Sequence, residues 1–202
     1  LIKIIKRTAG LAATNSYILC SENGDCAVVD PGDEASGLKK TLNENGLRCT
    51  AVLLTHAHFD HAGSCLELQK TGARIYMHAS DMQLVETDKN LARLFGKKFQ
   101  SFTPDVTVHD GDEIDILNEK INVFHTPGHT AGSVCYVMGN VIFSGDTLFR
   151  LSVGRTDFPT GSAKELNRSV KKLFGLPGDY TVYPGHGEIT DLNFERGNNP
   201  YA

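Results

Sequence analysis

The sequence predicts an α/β fold in which two layers of strands lie between helices. Short apolar strand runs alternate with segments of helical spacing through the first half, and a second series of strands follows a polar middle stretch. Residues 51–54 are also apolar on both faces, as expected of a strand in a sheet covered by helices. Two sheets packed against each other, with the helices outside, would let both halves bury their apolar faces.

Residues 2–6 and 16–20 read as strands, and residues 26–30 as the return strand of a hairpin turning at Glu22-Asn23-Gly24-Asp25. Asp30-Pro31-Gly32 stops that strand, after which Leu38, Leu42 and Asn45 follow helical spacing to Gly46. The strand at 51–54 runs directly into Thr55-His56-Ala57-His58-Phe59-Asp60-His61. Residues 63–70 read as a helix, 73–77 as a strand and 79–85 as a helix opening near Ser80. From 86 to 104 the periodicity weakens, and the scatter of Lys89, Arg93, Lys97 and Lys98 among Leu91, Leu94, Phe95 and Phe99 reads as a surface loop or small helix. Strands resume at 106–108, 113–117, 120–125, 133–138 and 141–144, with Gly139-Asn140 as a tight turn. Ser162-Ala163-Lys164-Glu165 is a capping box, and the helix it starts runs to about Phe174 with Leu166, Val170 and Leu173 on its inner face. A last strand covers 181–183.

The chain of 202 residues fits one domain over residues 1–202 and can bury a core without staples. A net charge of -4 gives no general attraction to phosphate backbones, so a small-molecule substrate is expected rather than nucleic acid. No apolar run approaches transmembrane length and the first residues lack a signal-peptide pattern, so no membrane partner and a cytoplasmic location are expected. The five cysteines, odd in number and without CxxC spacing, argue against a disulfide framework or a cysteine zinc cluster. A two-residue turn at Asn23-Gly24 would pair Cys20 with Ala27, whereas a longer loop would set Cys20 opposite Cys26. Oligomeric state is not legible.

Three histidines and a carboxylate within six residues, just past a buried strand, point to a metal site. His56 and His58 are two apart, so on extended backbone they project to one side and can chelate one ion. Asp60 and His61 follow the turn and are free to serve a second ion or a metal-bound water. His129, Asp146 and His186 each lie beside glycine where a later strand runs into a polar turn, which leaves room for metal and substrate.

The HAHFDH motif, the three later ligand candidates and Asp30 at the end of an apolar strand together resemble the metallo-β-lactamase superfamily, and within it the short glyoxalase II-like hydrolases. The resemblance implies a four-layer αββα sandwich with metals at one edge between the sheets. It assigns His56, His58 and His129 to a first ion, Asp60, His61 and His186 to a second, and Asp146 to both, with Asp30 supporting the ligands from behind. Two divalent ions are implied, zinc first, with iron or manganese also suited to imidazole and carboxylate donors. The implied reaction is thioester hydrolysis by a hydroxide shared between the ions and oriented by Asp60, as for a hydroxyacyl-thiol substrate. Arg155, which follows the bridging aspartate, offers a fork for a substrate carboxylate, or a structural salt bridge to Asp157. The same fold also carries single-iron persulfide dioxygenases and lactone or β-lactam hydrolases. Full glyoxalase II enzymes have a helical C-terminal extension that helps bind glutathione, but only 16 residues follow His186. His78, His109 and His125 match no ligand position and are assigned to the surface or ordinary packing.

Overall fold

The structure, a computed structural model, describes residues 2–32 and 34–202. Six strands form the first sheet in sequence order: β1 (Lys3–Ala9), β2 (Thr14–Cys20), β3 (Asp25–Val29), β4 (Arg48–Leu53), β5 (Arg74–His78) and β6 (Val106–Val108). Helices α1 (Ala35–Glu44), α2 (Phe59–Ala62), α3 (Cys65–Gln69) and α4 (Met82–Glu86) fall between these strands. The second sheet has the order β14-β13-β10-β9-β8-β7, built from β7 (Glu113–Ile116), β8 (Glu119–His125), β9 (Val134–Met138), β10 (Val141–Gly145), β13 (Thr181–Pro184) and β14 (Thr190–Asp191). A small hairpin, β11 (Leu148–Phe149) and β12 (Ser152–Val153), follows β10, while α5 (Ala163–Phe174) and α6 (Leu192–Asn198) flank β13 and β14 in sequence.

Strand alternation sorts the apolar residues into three layers. Tyr17, Leu19, Val29 and Leu53 of the first sheet meet Ile121, Val123, Tyr136 and Phe143 of the second. Their neighbours Ile18, Val28 and Val52 point the other way, onto Leu38 and Leu42 of α1 and Leu68 of α3. On the far side, Val137, Ile142 and Val182 pack on Leu173 of α5 and Leu192 of α6. The expected αββα order is therefore the observed one. Two buried phenols tie the sheets together at the end where the polar turns gather: Tyr17 donates to the Pro184 carbonyl at 2.7 Å and Tyr136 to the Leu54 carbonyl at 3.0 Å.

Several boundaries differ from the sequence expectation. The helix expected at 63–70 is the shorter α3, and a separate one-turn helix, α2, begins inside the histidine motif at Phe59 and ends before α3 starts. The middle stretch is more than a surface loop, because Leu91 and Ala92 are buried against Phe59, while Leu94 is 69% exposed. That inward turn depends on Leu91 adopting φ +71°, a left-handed conformation that periodicity does not reveal. The hairpin loop after β2 is longer than two residues, so Leu19 pairs with Ala27 and Cys20 lies opposite Cys26; all five cysteines are free. Half of the capping box forms: Ser162 Oγ accepts from the Glu165 N–H at 3.3 Å, while the Ser162 N–H donates to the Gly128 carbonyl and the Glu165 carboxylate accepts from Arg168.

His78 at the end of β5 stacks on His125 at the end of β8, with centroids 4.1 Å apart and planes 8° from parallel, and His109 lies 6.1 Å away. Burial, then the neighbouring charges of His125 and His109, push the His78 pKa down to about 4, with Asp110 opposing. The folded state thus favours the neutral ring. Its contribution is fully present above the unfolded value near 6.5 and is lost as pH falls toward 4, an effect of about 1 kcal/mol once solvent screening of this half-buried group is allowed for. Urea midpoints at pH 7 and pH 4.5 are expected to fall less in His78→Gln than in the parent; equal falls would rule this out.

Candidate functional site

Four chain segments deliver the site residues from the same end of the sandwich. β4 leads into His56 and His58, β8 into the turn holding His129, β10 into Asp146 and β13 into His186. Parallel pairing of β10 with β13 sets the last two side by side, and an isolated bridge joins His186 to Thr14 at the start of β2. Glycine is required where these turns meet: a Cβ on Gly185 would collide with Asp146 Oδ1 and the His61 ring. All seven ligand candidates converge, with His56, His58, Asp60, His61, His129 and Asp146 buried.

The atoms fall into overlapping groups. His56, His58 and His129 form one and Asp60, His61 and His186 another, each with ligand atoms within 4.8 Å of one another. His58 Nδ1 lies 3.0 Å from His129 Nε2, and His61 Nε2 3.2 Å from His186 Nε2. Asp146 reaches both groups: Oδ2 is 3.4 Å from His129 Nε2 and from His186 Nε2, and Oδ1 is 3.4 Å from His61 Nε2. His56 Nε2, His58 Nε2 and Asp146 Oδ1 are buried without a hydrogen-bond partner. Orphaned buried polar atoms are costly, and two of the residues that carry them, His56 and Asp146, converge with His61 in a group that fits a cation. The donor set is imidazole and carboxylate without sulfur, which suits zinc, iron or manganese.

Electrostatics divides the cluster. Burial, reinforced by the His129 charge, pushes the His58 pKa down to about 3, and burial with the nearby His61 and His129 charges also drives His56 far down. Both rings are neutral at pH 7, the form that ligates metal. Burial would raise Asp60 and Asp146, but the surrounding histidines outweigh it and hold both carboxyls well below their ordinary range. Burial likewise opposes protonation of His186, yet Asp146 and Asp60 raise it to about 11.

A ring of partners fixes the orientation of these side chains. Asp30 Oδ2 accepts from His61 Nδ1 at 2.9 Å and from the Thr55 hydroxyl at 2.7 Å, and Oδ1 accepts from the Thr55 N–H at 2.8 Å. His129 Nδ1 donates to the Arg155 carbonyl at 2.7 Å, and Thr14 donates to Asp60 Oδ2 at 2.8 Å. The bonds to His61 Nδ1 and His129 Nδ1 each select a tautomer and leave Nε2 for the site. Asp81, fully buried, joins two ligand turns: it accepts from the Ala57 N–H between His56 and His58, and from the Thr130 hydroxyl and Gly132 N–H after His129. Neither Thr14 nor Asp81 was identified from sequence. Asp81 falls there within the helix expected at 79–85, and its partners, two backbone N–H groups and the Thr130 hydroxyl, lie far from it in the chain.

A cleft of about 340 Å³ opens over the cluster, walled by Leu91, Phe95, Phe149 and Phe158. Arg155 lines it too, and it also makes the alternative salt bridge: Nε and Nη2 each donate to Asp157 at 2.6 Å, with the guanidinium 4.0 Å above the Phe158 ring.

The model of the metallo-beta-lactamase superfamily matches residues 9–186. The chain belongs to this superfamily. A protein of Mycobacterium leprae is 40% identical to this metallo-β-lactamase superfamily chain over 96% of it and 95% of its own length. The hydroxyacylglutathione hydrolase GloC of Haemophilus influenzae is 33% identical, covering 99% and 97%. Among solved structures, the B3 metallo-beta-lactamase BLEG-1 superposes with a TM-score of 0.91 at 33% identity, covering 98% and 99%. TTHA1623 in a di-iron-bound form gives 0.88 at 36% identity, covering 98% and 100%, so the fold is not tied to zinc. ETHE1 from Myxococcus xanthus gives 0.80 at 28% identity, covering 98% of this chain and 83% of its own. Among the described residues, no helix is long and apolar enough to cross a membrane.

Proposed function

We propose that this superfamily member is a binuclear metallohydrolase of the glyoxalase II type that cleaves a thioester. The observation that carries the reading is Asp146, whose carboxylate reaches both groups, with Oδ2 3.4 Å from His129 Nε2 and from His186 Nε2 and Oδ1 3.4 Å from His61 Nε2, as a carboxylate shared by two ions would. The likeness to GloC supports hydroxyacyl-thiol chemistry along the whole chain. His56, His58 and His129 would hold one ion and Asp60, His61 and His186 the other, with zinc the first choice and iron or manganese accommodated by the same donors.

When bound, such ions supply Lewis acidity and bring the pKa of water from 15.7 to about 7. The chain's own residues do the rest. Asp60, held ionised and fixed by Thr14, orients the attacking water. The aromatic walls exclude bulk water and receive the apolar part of a small-molecule substrate, and Arg155 Nη1 is available to an acceptor on it. The free, buried cysteines suit a reducing compartment such as the cytoplasm.

The test is elemental analysis of protein purified without added metal, with thioester hydrolysis and oxygen uptake measured on the same sample. Two metals per chain, thioester turnover and no oxygen uptake are expected, and Asp60→Ala should lower kcat about a hundredfold with its circular dichroism retained. A second reading, a single-iron persulfide dioxygenase, draws on the convergence of two histidines with one aspartate, as in the group His56, His61 and Asp146. One iron per chain and oxygen uptake with a persulfide would replace the first reading with the second.

A further inference from the structure

A second cavity, of about 400 Å³, lies beside the metal cleft between α5 and Tyr201. Val153 and Arg155 line both, so the two spaces share the segment around Val153 to Arg155 as a common wall. That segment is held from the metal side. His129 Nδ1 bonds the Arg155 carbonyl, and Gly154 lies so close to the Asp146 carbonyl that no side chain would fit. The guanidinium is fixed as well, since Asp157 takes Nε and Nη2 and Phe158 lies beneath it, leaving Nη1 for an acceptor. The junction thus presents a guanidinium whose charge is paired with Asp157 and whose backbone is anchored to His129. Each space alone sits near the lower end of the 300–1,000 Å³ typical of small-molecule sites.

We propose that the cavity beside α5 is a subsite for the carrier arm of the substrate, a claim that rests on the thioester reading. The acyl carbonyl lies in the metal cleft, and the thiol arm crosses Val153 and gives a carbonyl or carboxylate oxygen to Arg155 Nη1. It then extends beside α5, where Leu166 and Val170 supply an apolar floor and the Asn167 amide can both donate and accept. That chemistry selects an extended, amide-bearing thiol, such as a peptide thiol or a pantetheine, over a short one.

Ala163 and Asn167 line the cavity and are exposed on α5, away from the metal cleft. One acyl group carried on N-acetylcysteamine, glutathione and pantetheine separates a short arm from two kinds of long one. Ala163→Trp is expected to lower the ratio of long-arm to short-arm kcat/KM about tenfold, through KM, and Asn167→Ala a few-fold. Whichever long arm shows the change identifies the carrier. A ratio unchanged in both variants overturns the subsite while leaving thioester hydrolysis intact. Should the parent hydrolyse none of the three esters, the thioester reading itself fails. Calorimetric titration with free glutathione and pantetheine then decides the cavity: binding that Ala163→Trp abolishes supports it, and no binding, or binding indifferent to the variant, overturns it.

Discussion

Asp146→Asn is expected to lower thioester turnover by at least about a thousandfold and to leave the purified protein with no more than one metal ion per chain. The side chain carries charge to both groups at once, with Oδ2 near His129 and His186 and Oδ1 near His61. Asparagine preserves the shape but offers one acceptor oxygen and turns an NH2 donor either toward His61 or toward His129 and His186. It also removes the leading attraction that keeps His186 protonated in the metal-free cluster, so the His186 pKa should fall from about 11. A histidine titration followed by NMR in the metal-free protein reads that change independently of activity. Two metals per chain and turnover within about tenfold of the parent would show that Asp146 does not bridge.

The converging cluster was legible because its chemistry is local. His56, His58, Asp60 and His61 announce themselves within six residues, and His129, Asp146 and His186 each accompany a glycine at a strand end. The layers were legible for a similar reason, since Ile18 and Val28 face the helices while Tyr17, Leu19 and Val29 face the other sheet. What sequence did not reveal depends on contacts between residues far apart in the chain. Thr14 reaches Asp60 from 46 residues away and Asp81 reaches Gly132 across 51. The middle segment escaped because one left-handed leucine turns Leu91 and Ala92 inward onto Phe59. The final helix escaped for a third reason: its buried face is largely polar, with Glu195 accepting from Thr190, the Leu151 N–H and Asn199 around a single buried leucine, Leu192.

The same long-range wiring makes Asp81 the residue outside the ligand set whose loss should cost most. Asp81→Ala would leave the Ala57 N–H, the Thr130 hydroxyl and the Gly132 N–H without their acceptor in a buried site, and a penalty of about 3 kcal/mol follows, or about 10 °C in Tm for a chain of this size. Part of the native benefit is already offset, because burial raises the Asp81 pKa against the pull of those three donors. Asp81→Asn removes the buried charge yet can keep the oxygen shared by Ala57 and Thr130, at the expense of an NH2 against Gly132; about half the loss is expected. A purely structural carboxylate would stop there. Ala57 stands between His56 and His58, and Thr130 next to His129, so slackening both turns should also weaken metal affinity, by about tenfold or more, as loss of groups that orient ligands does. Chelator competition on folded Asp81→Asn measures that effect apart from stability. Metal affinity equal to the parent's, or a destabilisation of Asp81→Ala below about 1 kcal/mol, would reduce Asp81 to an ordinary buried acid.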